Sequence, residues 1–192
     1  MRVTALLAVC AAALFAIGCG GAGWRVIKQA TPNPFAGRAA FEVLPVDYAG
    51  LHVGPMAEDD YLAQKGAETQ ESFEGDKDGI NEKFVAALVA HSNEQGLSVK
   101  ESKGKVTAPF LIRPHVAFIE PGSPLAGMGP NSEVRMRVTI ETAEGKKLDV
   151  IELSHETAAM TWGQISSGQR LREDADAIGE ALATYLMQRT GG

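Results

Sequence analysis

The segment Glu133–Glu141, with the sequence EVRMRVTIE, decides the fold because apolar and polar residues alternate along it without a break. A period of two is typical of a β-strand that has one buried face and one solvated face. Glu144-Gly145 follows and favours a tight turn. The return strand is then expected from about Leu148 to Met160. This hairpin places four apolar side chains on the buried face, Val134, Met136, Val138 and Ile140.

The pairing register of this hairpin is restricted by the same alternation. For each pair of residues that face each other across the hairpin, the two residue numbers must sum to an odd value near 290. Only then do the apolar residues of both strands lie on the same face, because a one-residue slip would turn one set outward. A sum of 291 pairs Arg135 with Glu156, and a sum of 289 pairs Arg137 with Glu152. Either register predicts an ion pair between the strands on the solvated face.

Two helices are predicted from apolar residues at helical spacing. The later one covers Leu171–Met187, with Ser166 or Ser167 as its N-cap and Gly191 near its end. The earlier one begins at Asp78 and ends before Gly96, because glycine is favoured just after a helix. Both helices carry one apolar stripe, so we expect each to pack on a sheet.

Further strands are predicted on the N-terminal side of the hairpin. Phe41–Val46 forms a first strand, and Phe110–Ile119 forms a second, in which Phe118 shares a face with Phe110. The acidic segment Ala57–Gly79 is interpreted as a solvated surface excursion. The order strand–helix–strand–strand–strand–helix predicts an α+β domain over residues 38–190. We expect a mainly antiparallel sheet of about four strands with two helices packed on one face.

The N-terminus is predicted to be a lipoprotein signal peptide covering residues 1–18. Arg2 precedes the apolar run Ala5–Ile17. A helix of that run would reach about 20 Å, short of a bilayer core of roughly 30 Å. Small residues then precede Cys19 and resemble a bacterial lipobox, which implies that Cys19 is lipidated and becomes the first residue of the mature protein. An ordinary signal peptide with a cysteine nearby is the alternative.

Residues 19–37 are interpreted as a flexible tether, since glycine and proline are frequent there. Trp24, Val26 and Ile27 could pack onto the domain and order part of the tether. Gly20, rather than an acidic residue, follows Cys19. By resemblance to familiar sorting rules, this implies anchoring in the outer membrane, facing the periplasm.

The charge of the chain limits its partners. The formal net charge is −6, and removal of Arg2 with the signal peptide makes it −7. No basic cluster is visible along the mature sequence. Nucleic acid and anionic lipid headgroups are therefore not expected as electrostatic partners. Cys10 leaves with the signal, so the domain would hold no cysteine for a disulfide.

Catalytic motifs are not found in the sequence. The four histidines include no H-E-x-x-H pair, and no G-x-S-x-G, P-loop or G-x-G-x-x-G motif is present. We therefore predict no enzyme activity, no cofactor and no metal. The alternative is an envelope hydrolase or metal-dependent enzyme that uses His115 and His155, which requires their strands to be neighbours. Packing at strand ends with hydrogen bonds is the simpler explanation of both histidines.

Three apolar residues are candidates for partner binding. Leu125 and Met128 belong to the loop Pro121–Asn131, whose prolines and glycines exclude regular structure. Trp162 lies between the return strand and the last helix, where it would bind a partner or cover one end of the core.

From Phe41 to Thr190 the chain resembles small α/β domains of the bacterial cell envelope. The resemblance rests on Phe41–Val46, on Val134–Ile140 with the turn at Gly145, and on Leu171–Met187. Uncharacterised envelope lipoproteins, the curli-secretion channel subunit and the amino-terminal domain of TolB share this layout. The resemblance implies a fold and assigns no functional residue. We predict a non-enzymatic, membrane-tethered binding or envelope-assembly module with an envelope protein as its candidate partner.

Overall fold

The computed structural model describes residues 22–37, 40–122, 129–158 and 166–191. These residues form an α+β domain with eight strands and three helices, so the predicted fold class is confirmed. The elements in chain order are β1 (Gly23–Lys28), β2 (Ala40–Val43), β3 (His52–Val53), β4 (Met56–Ala57), α1 (Glu58–Ala63), α2 (Ala67–Glu94), β5 (Ser98–Glu101), β6 (Phe110–Glu120), β7 (Ser132–Thr142), β8 (Lys147–Thr157) and α3 (Ser167–Thr190).

The sheet is larger than predicted and mixed in direction. Its strands follow the order β1-β8-β7-β6-β2-β5, with β3 beside β6 and β4 beside β3. Four neighbouring strand pairs are antiparallel, namely β1–β8, β8–β7, β7–β6 and β3–β4. The pairs β6–β2, β2–β5 and β3–β6 are parallel. Parallel pairs need a crossover, which α2 supplies between β2 and β5.

The β7–β8 hairpin forms as predicted, and its register is the one in which paired numbers sum to 289. Arg137 lies opposite Glu152, and Val138 lies opposite Ile151. Gly145 closes the turn with a φ of 85°, in the left-handed region that glycine adopts without strain. The apolar residues of β7 are fully buried. They face the helices, and we call this side of the sheet the inner face.

Helices α2 and α3 pack against each other and cover the inner face, as predicted. The Ser166 hydroxyl caps α3 by accepting a hydrogen bond from the Gln169 amide at 3.2 Å. Gly191 ends it with a φ of 84°. The two helices approach closely at Gly179, where a Cβ atom would lie 2.6 Å from the Phe84 carbonyl oxygen. Glycine therefore permits this helix contact.

The interpretation of Ala57–Gly79 as a surface excursion is wrong. This segment contains part of β4, all of α1 and the first turns of α2, which begins at Ala67 rather than at Asp78. Phe73 is buried there, with its ring 5.4 Å from that of Tyr61. Lys77 also binds the Glu58 carboxylate of α1 at 2.6 Å. Contacts between α1 and α2 stabilise turns whose own sequence is too polar to show a helical period.

The segment predicted as a tether contributes a strand to the sheet. Strand β1 pairs with β8, with Trp24 opposite Leu153 and Arg25 opposite Glu152. The Phe35 side chain is fully buried, and its ring lies 5.0 Å from that of Phe110. The described part of residues 19–37 is therefore packed onto the domain.

Strand β6 contains a bulge that changes the face of its last residues. The register shifts between Val116 and Phe118, so that Phe118 lies opposite Arg135 and Ile119 lies opposite Val134. A bulge inserts one unpaired residue and reverses the alternation beyond it. The prediction that Phe118 shares a face with Phe110 is therefore wrong. Ile119 is the residue that is fully buried on the inner face.

Candidate functional site

The site lies on the face of the sheet opposite the helices, which we call the outer face. Strand pairing aligns four residues in one row across β1, β8, β7 and β6, because directly paired residues share a face. These residues are Arg25, Glu152, Arg137 and His115. The neighbouring row holds Ser154, Arg135 and Phe118. A cleft of about 540 Å³ follows both rows, and we call it the outer cleft. Its other lining residues include Gly23, Trp24 and Ala117.

Glu152 holds two guanidinium groups in the outer cleft. Its carboxylate accepts a hydrogen bond from Arg137 Nη2 at 2.5 Å and another from Arg25 Nη2. The bond from Arg25 and then that from Arg137 hold the pKa of Glu152 below its ordinary value. One carboxylate is thus shared by two cations, which leaves this row with an excess of positive charge.

Arg135 forms the wall of the cleft beside this row. Its guanidinium carbon lies 4.3 Å from the centroid of the Phe118 ring. The Glu133 carboxylate accepts hydrogen bonds from both Nε and Nη2 of Arg135, the latter at 2.7 Å. Ring stacking and a two-point ion pair restrict the side chain, so Arg135 is held in one place.

The three arginines remain accessible although each has a carboxylate partner. Their side chains are 73% exposed for Arg25 and 58% for both Arg135 and Arg137. Three cations and the single carboxylate of Glu152 line the cleft. Because Glu133 neutralises Arg135, one net positive charge remains in the row of Arg25, Glu152 and Arg137, in a chain whose formal net charge is −6. This arrangement suits a ligand that carries an oxyanion.

Sequence reasoning missed this cluster. The alternation in β7 did place Arg135 and Arg137 on the solvated face, and that was the available signal. Arg25 precedes them by more than one hundred residues, and only the pairing of β1 with β8 brings it to Glu152. The linear sequence has no basic cluster, and the folded surface brings three arginines together, each beside a carboxylate.

His115 and His155 are not brought together. Strand β7 separates their strands, and the two side chains lie on opposite faces of the sheet, since His115 pairs with Arg137 and His155 with Val134. The His115 ring contacts the Ala49 carbonyl oxygen through Nε2 at 2.9 Å. His155 instead contacts α3. The geometry required for a shared His115–His155 site is therefore not present.

His155 belongs to a buried polar cluster around Asp174. The Asp174 carboxylate contacts His155 Nδ1 at 2.8 Å and accepts hydrogen bonds from the Ser132 and Thr157 hydroxyls at 2.8 and 2.7 Å. Desolvation raises the pKa of Asp174, while these hydrogen bonds oppose the rise. The contacts run serine–aspartate–histidine, whereas nucleophile activation needs the histidine to contact the serine. The cluster thus ties α3 to β7 and β8.

The residues described in the structure include no group of three or more histidine, cysteine, aspartate or glutamate side chains that could hold a metal ion. Among the described helices, none is long and apolar enough to cross a membrane. Four residues singled out in the sequence lie outside the described residues, namely Cys19, Leu125, Met128 and Trp162. Their predicted roles stay predictions.

Comparison with known proteins identifies similar folds. No family model matches the sequence, and neither does any curated protein. Protein XCC0632 from Xanthomonas campestris, of the DUF330 family model, matches with a TM-score of 0.50 and 10% identity over 85% of this chain and 93% of that chain. The PelC dodecamer from Paraburkholderia phytofirmans matches with a TM-score of 0.45 and 9% identity over 84% and 97%. At this identity, the likeness to XCC0632 concerns the fold alone. The resemblance to the curli-secretion subunit and TolB stays a prediction.

Proposed function

We propose that this chain is a bacterial lipoprotein, anchored through Cys19 in the outer membrane and facing the periplasm, that acts as a non-enzymatic binding or envelope-assembly module. The sequence of residues 1–19 supports the anchor, because a charged start, a short apolar run and small residues precede the cysteine. In this proposal, the outer cleft is the binding surface. An envelope protein remains a candidate partner, with Leu125, Met128 and Trp162 as candidate contacts.

The observation that carries the proposal is the short distance along the chain between the anchor and the cleft. Gly23 opens β1 and lines the outer cleft, and it follows Cys19 by only four residues. Four extended residues span at most about 14 Å. A lipid on Cys19 would therefore hold the cleft next to the membrane surface.

A binding role is also supported by the chemistry of the accessible groups. Asp149 and Asp174 are buried carboxylates that bind side chains of the same domain, and both join a helix to the sheet. The outer cleft instead presents arginines. Arginine keeps its proton at all physiological pH values, so it binds anions and does not act as a general acid or base.

Fractionation of cells tests the anchor. Cys19→Ser should move the protein from the membrane fraction to the soluble envelope fraction, or stop its processing, because several acyl chains are needed for stable anchoring. Cys10→Ser is the matched control, since it makes the same chemical change inside the signal peptide and should leave the protein in the membrane. A Cys19→Ser protein that is processed normally and stays in the membrane fraction would refute the proposal.

A further inference from the structure

We infer that the outer cleft binds the phosphate group of an anionic phospholipid in the membrane that holds Cys19. This inference rests on the proposed function, since the lipid anchor brings the cleft to the membrane. It assigns a ligand class to a surface that sequence analysis did not identify.

The arginines of the outer cleft supply hydrogen-bond donors to an anion. A guanidinium group has five N–H donors in a planar fork that matches phosphate oxygens. Glu152 accepts one hydrogen bond from Arg25 and one from Arg137. Its carboxylate spaces the two groups without neutralising both. Donors of two adjacent guanidinium groups are thus available to the same anion.

The outer cleft also has an apolar wall that suits the carbon atoms of a lipid. Phe118 and Ala117 form one apolar side of the outer cleft. The cleft volume of about 540 Å³ lies within the range of roughly 300–1,000 Å³ typical of small-molecule sites. A glycerol backbone and the first carbons of an acyl chain would contact these side chains while the phosphate contacts the arginines.

Exposed aliphatic residues of β1 favour a membrane lipid as the source of the phosphate. Val26 and Ile27 are the large hydrophobic side chains that the described residues leave exposed, at 42% and 48%. Ile27 lies at the irregularity between Val26 and Lys28 on β1, the edge strand nearest to Cys19, whereas Val26 pairs with Ile151 and lies on the inner-face side of that edge. Exposed aliphatic side chains beside cations are typical of segments that lie in a membrane interface. They favour a lipid over a soluble phosphate compound.

The net charge of the chain does not oppose this placement. Charges further apart than about 8 Å are largely screened at physiological ionic strength. The sign of the surface within that distance of the lipid headgroups therefore controls contact. The row of Arg25, Glu152 and Arg137 carries one net positive charge, so this row would face an anionic membrane.

Calorimetric titration of the full-length protein in a neutral detergent tests the inference. Dihexanoyl phosphatidylglycerol, added as monomers, is the probe. The double variant Arg25→Gln/Arg137→Gln should weaken its binding at least tenfold. Arg113→Gln is the matched control, because Arg113 lies on the outer face beside its own carboxylate, Glu141, and outside the outer cleft. The Arg113→Gln change should alter the affinity for the lipid by less than twofold. The melting temperature of each variant is recorded as a check of folding.

The result that overturns the inference is equal binding by the double variant and the Arg113→Gln control, or no binding of the lipid by the unchanged protein. Inorganic phosphate that binds as tightly, with the same dependence on Arg25 and Arg137, would contradict the lipid source. Because the titration does not depend on the anchor, an anchored protein that binds no phosphatidylglycerol would refute this inference alone. A Cys19→Ser protein that is processed normally and stays in the membrane fraction would refute the proposed function. The titration could still be interpreted in that case.

Discussion

The Asp149 carboxylate in β8 accepts a hydrogen bond from Arg189 Nε in the last turn of α3 at 2.8 Å, and the two side chains are only 0% and 12% exposed. The same carboxylate accepts from the Tyr185 hydroxyl at 2.5 Å and from the Ala30 amide at 2.8 Å. Burial, together with the bond to Asp149, raises the pKa of Tyr185. This ion pair therefore joins the end of α3, the start of β8 and the segment that follows β1.

Loss of this pair should strongly destabilise the domain. Asp149→Asn leaves the buried Arg189 guanidinium without its counter-charge, and such a change costs about 3–5 kcal/mol of unfolding free energy. Urea denaturation measures the loss. Glu173→Gln, at an exposed position of α3, serves as the control and should change stability by less than about 0.5 kcal/mol. Similar losses for the two variants would show that the Asp149–Arg189 pair is not a major contributor.

Two glycine-to-alanine changes should have opposite effects on stability. Gly179→Ala places a Cβ 2.6 Å from the Phe84 carbonyl oxygen and 2.9 Å from the Ala87 Cβ, so the helices must separate. Overpacking of this kind costs roughly 1–3 kcal/mol. Gly75→Ala meets no atom within 4 Å in α2 and should stabilise by about 0.5–1 kcal/mol. Thermal melts compare the variants, and a stabilising Gly179→Ala would contradict the close α2–α3 contact.

The segment before β2 should be required for full stability. Phe35 is fully buried against Phe41 and Phe110, so Phe35→Ala should cost about 3–5 kcal/mol. Val26→Ala, on the exposed edge of β1, should have a small effect. The measurement is the urea midpoint of each variant. If Phe35→Ala unfolds at the same urea concentration as the unchanged protein, this segment does not pack as described.

Stability should depend on the ionisation of Glu42 at acid pH. Hydrogen bonds from the Ser102 side chain and the Thr107 amide lower the pKa of Glu42 from 4.5 to about 2. A lowered pKa in the folded state stabilises the protein above the unfolded-state value, and this contribution is lost as the pH falls from 4.5 through about 2. Glu42→Gln should therefore destabilise the domain at pH 6 and much less near pH 2.

Urea midpoints at several pH values test this dependence. The control is Glu101→Gln, at an exposed position of β5. A difference between Glu42→Gln and the unchanged protein that stays constant from pH 6 to pH 2 would contradict the role of the Glu42 carboxylate.

Local periodicity explains which elements could be predicted. Strands β7 and β8 and helix α3 have strong patterns of their own, and their turn and cap residues, Gly145 and Ser166, agree with those patterns. The first turns of α2 are rich in polar residues, and their contacts with α1, of Phe73 with Tyr61 and of Lys77 with Glu58, indicate why they are helical. Strand β1 has no regular alternation, and its pairing with β8 depends on residues far along the chain.

Local periodicity also made part of the candidate site predictable from the sequence. Alternation in β7 places Arg135 and Arg137 on the outer face. The position of Arg25 depends on β1, and that of Phe118 depends on the bulge in β6, which no sequence period reveals. A surface composed from four strands is thus visible only after the strand order is known.

Mass spectrometry of the N-terminal peptide tests the central claim of a lipid anchor most directly. The protein would be purified from the membranes of cells that express the full chain. The proposed function predicts a peptide that begins at Cys19 and carries a thioether-linked acylated glycerol. A peptide that begins elsewhere, or one that begins at Cys19 with no added lipid mass, would contradict it.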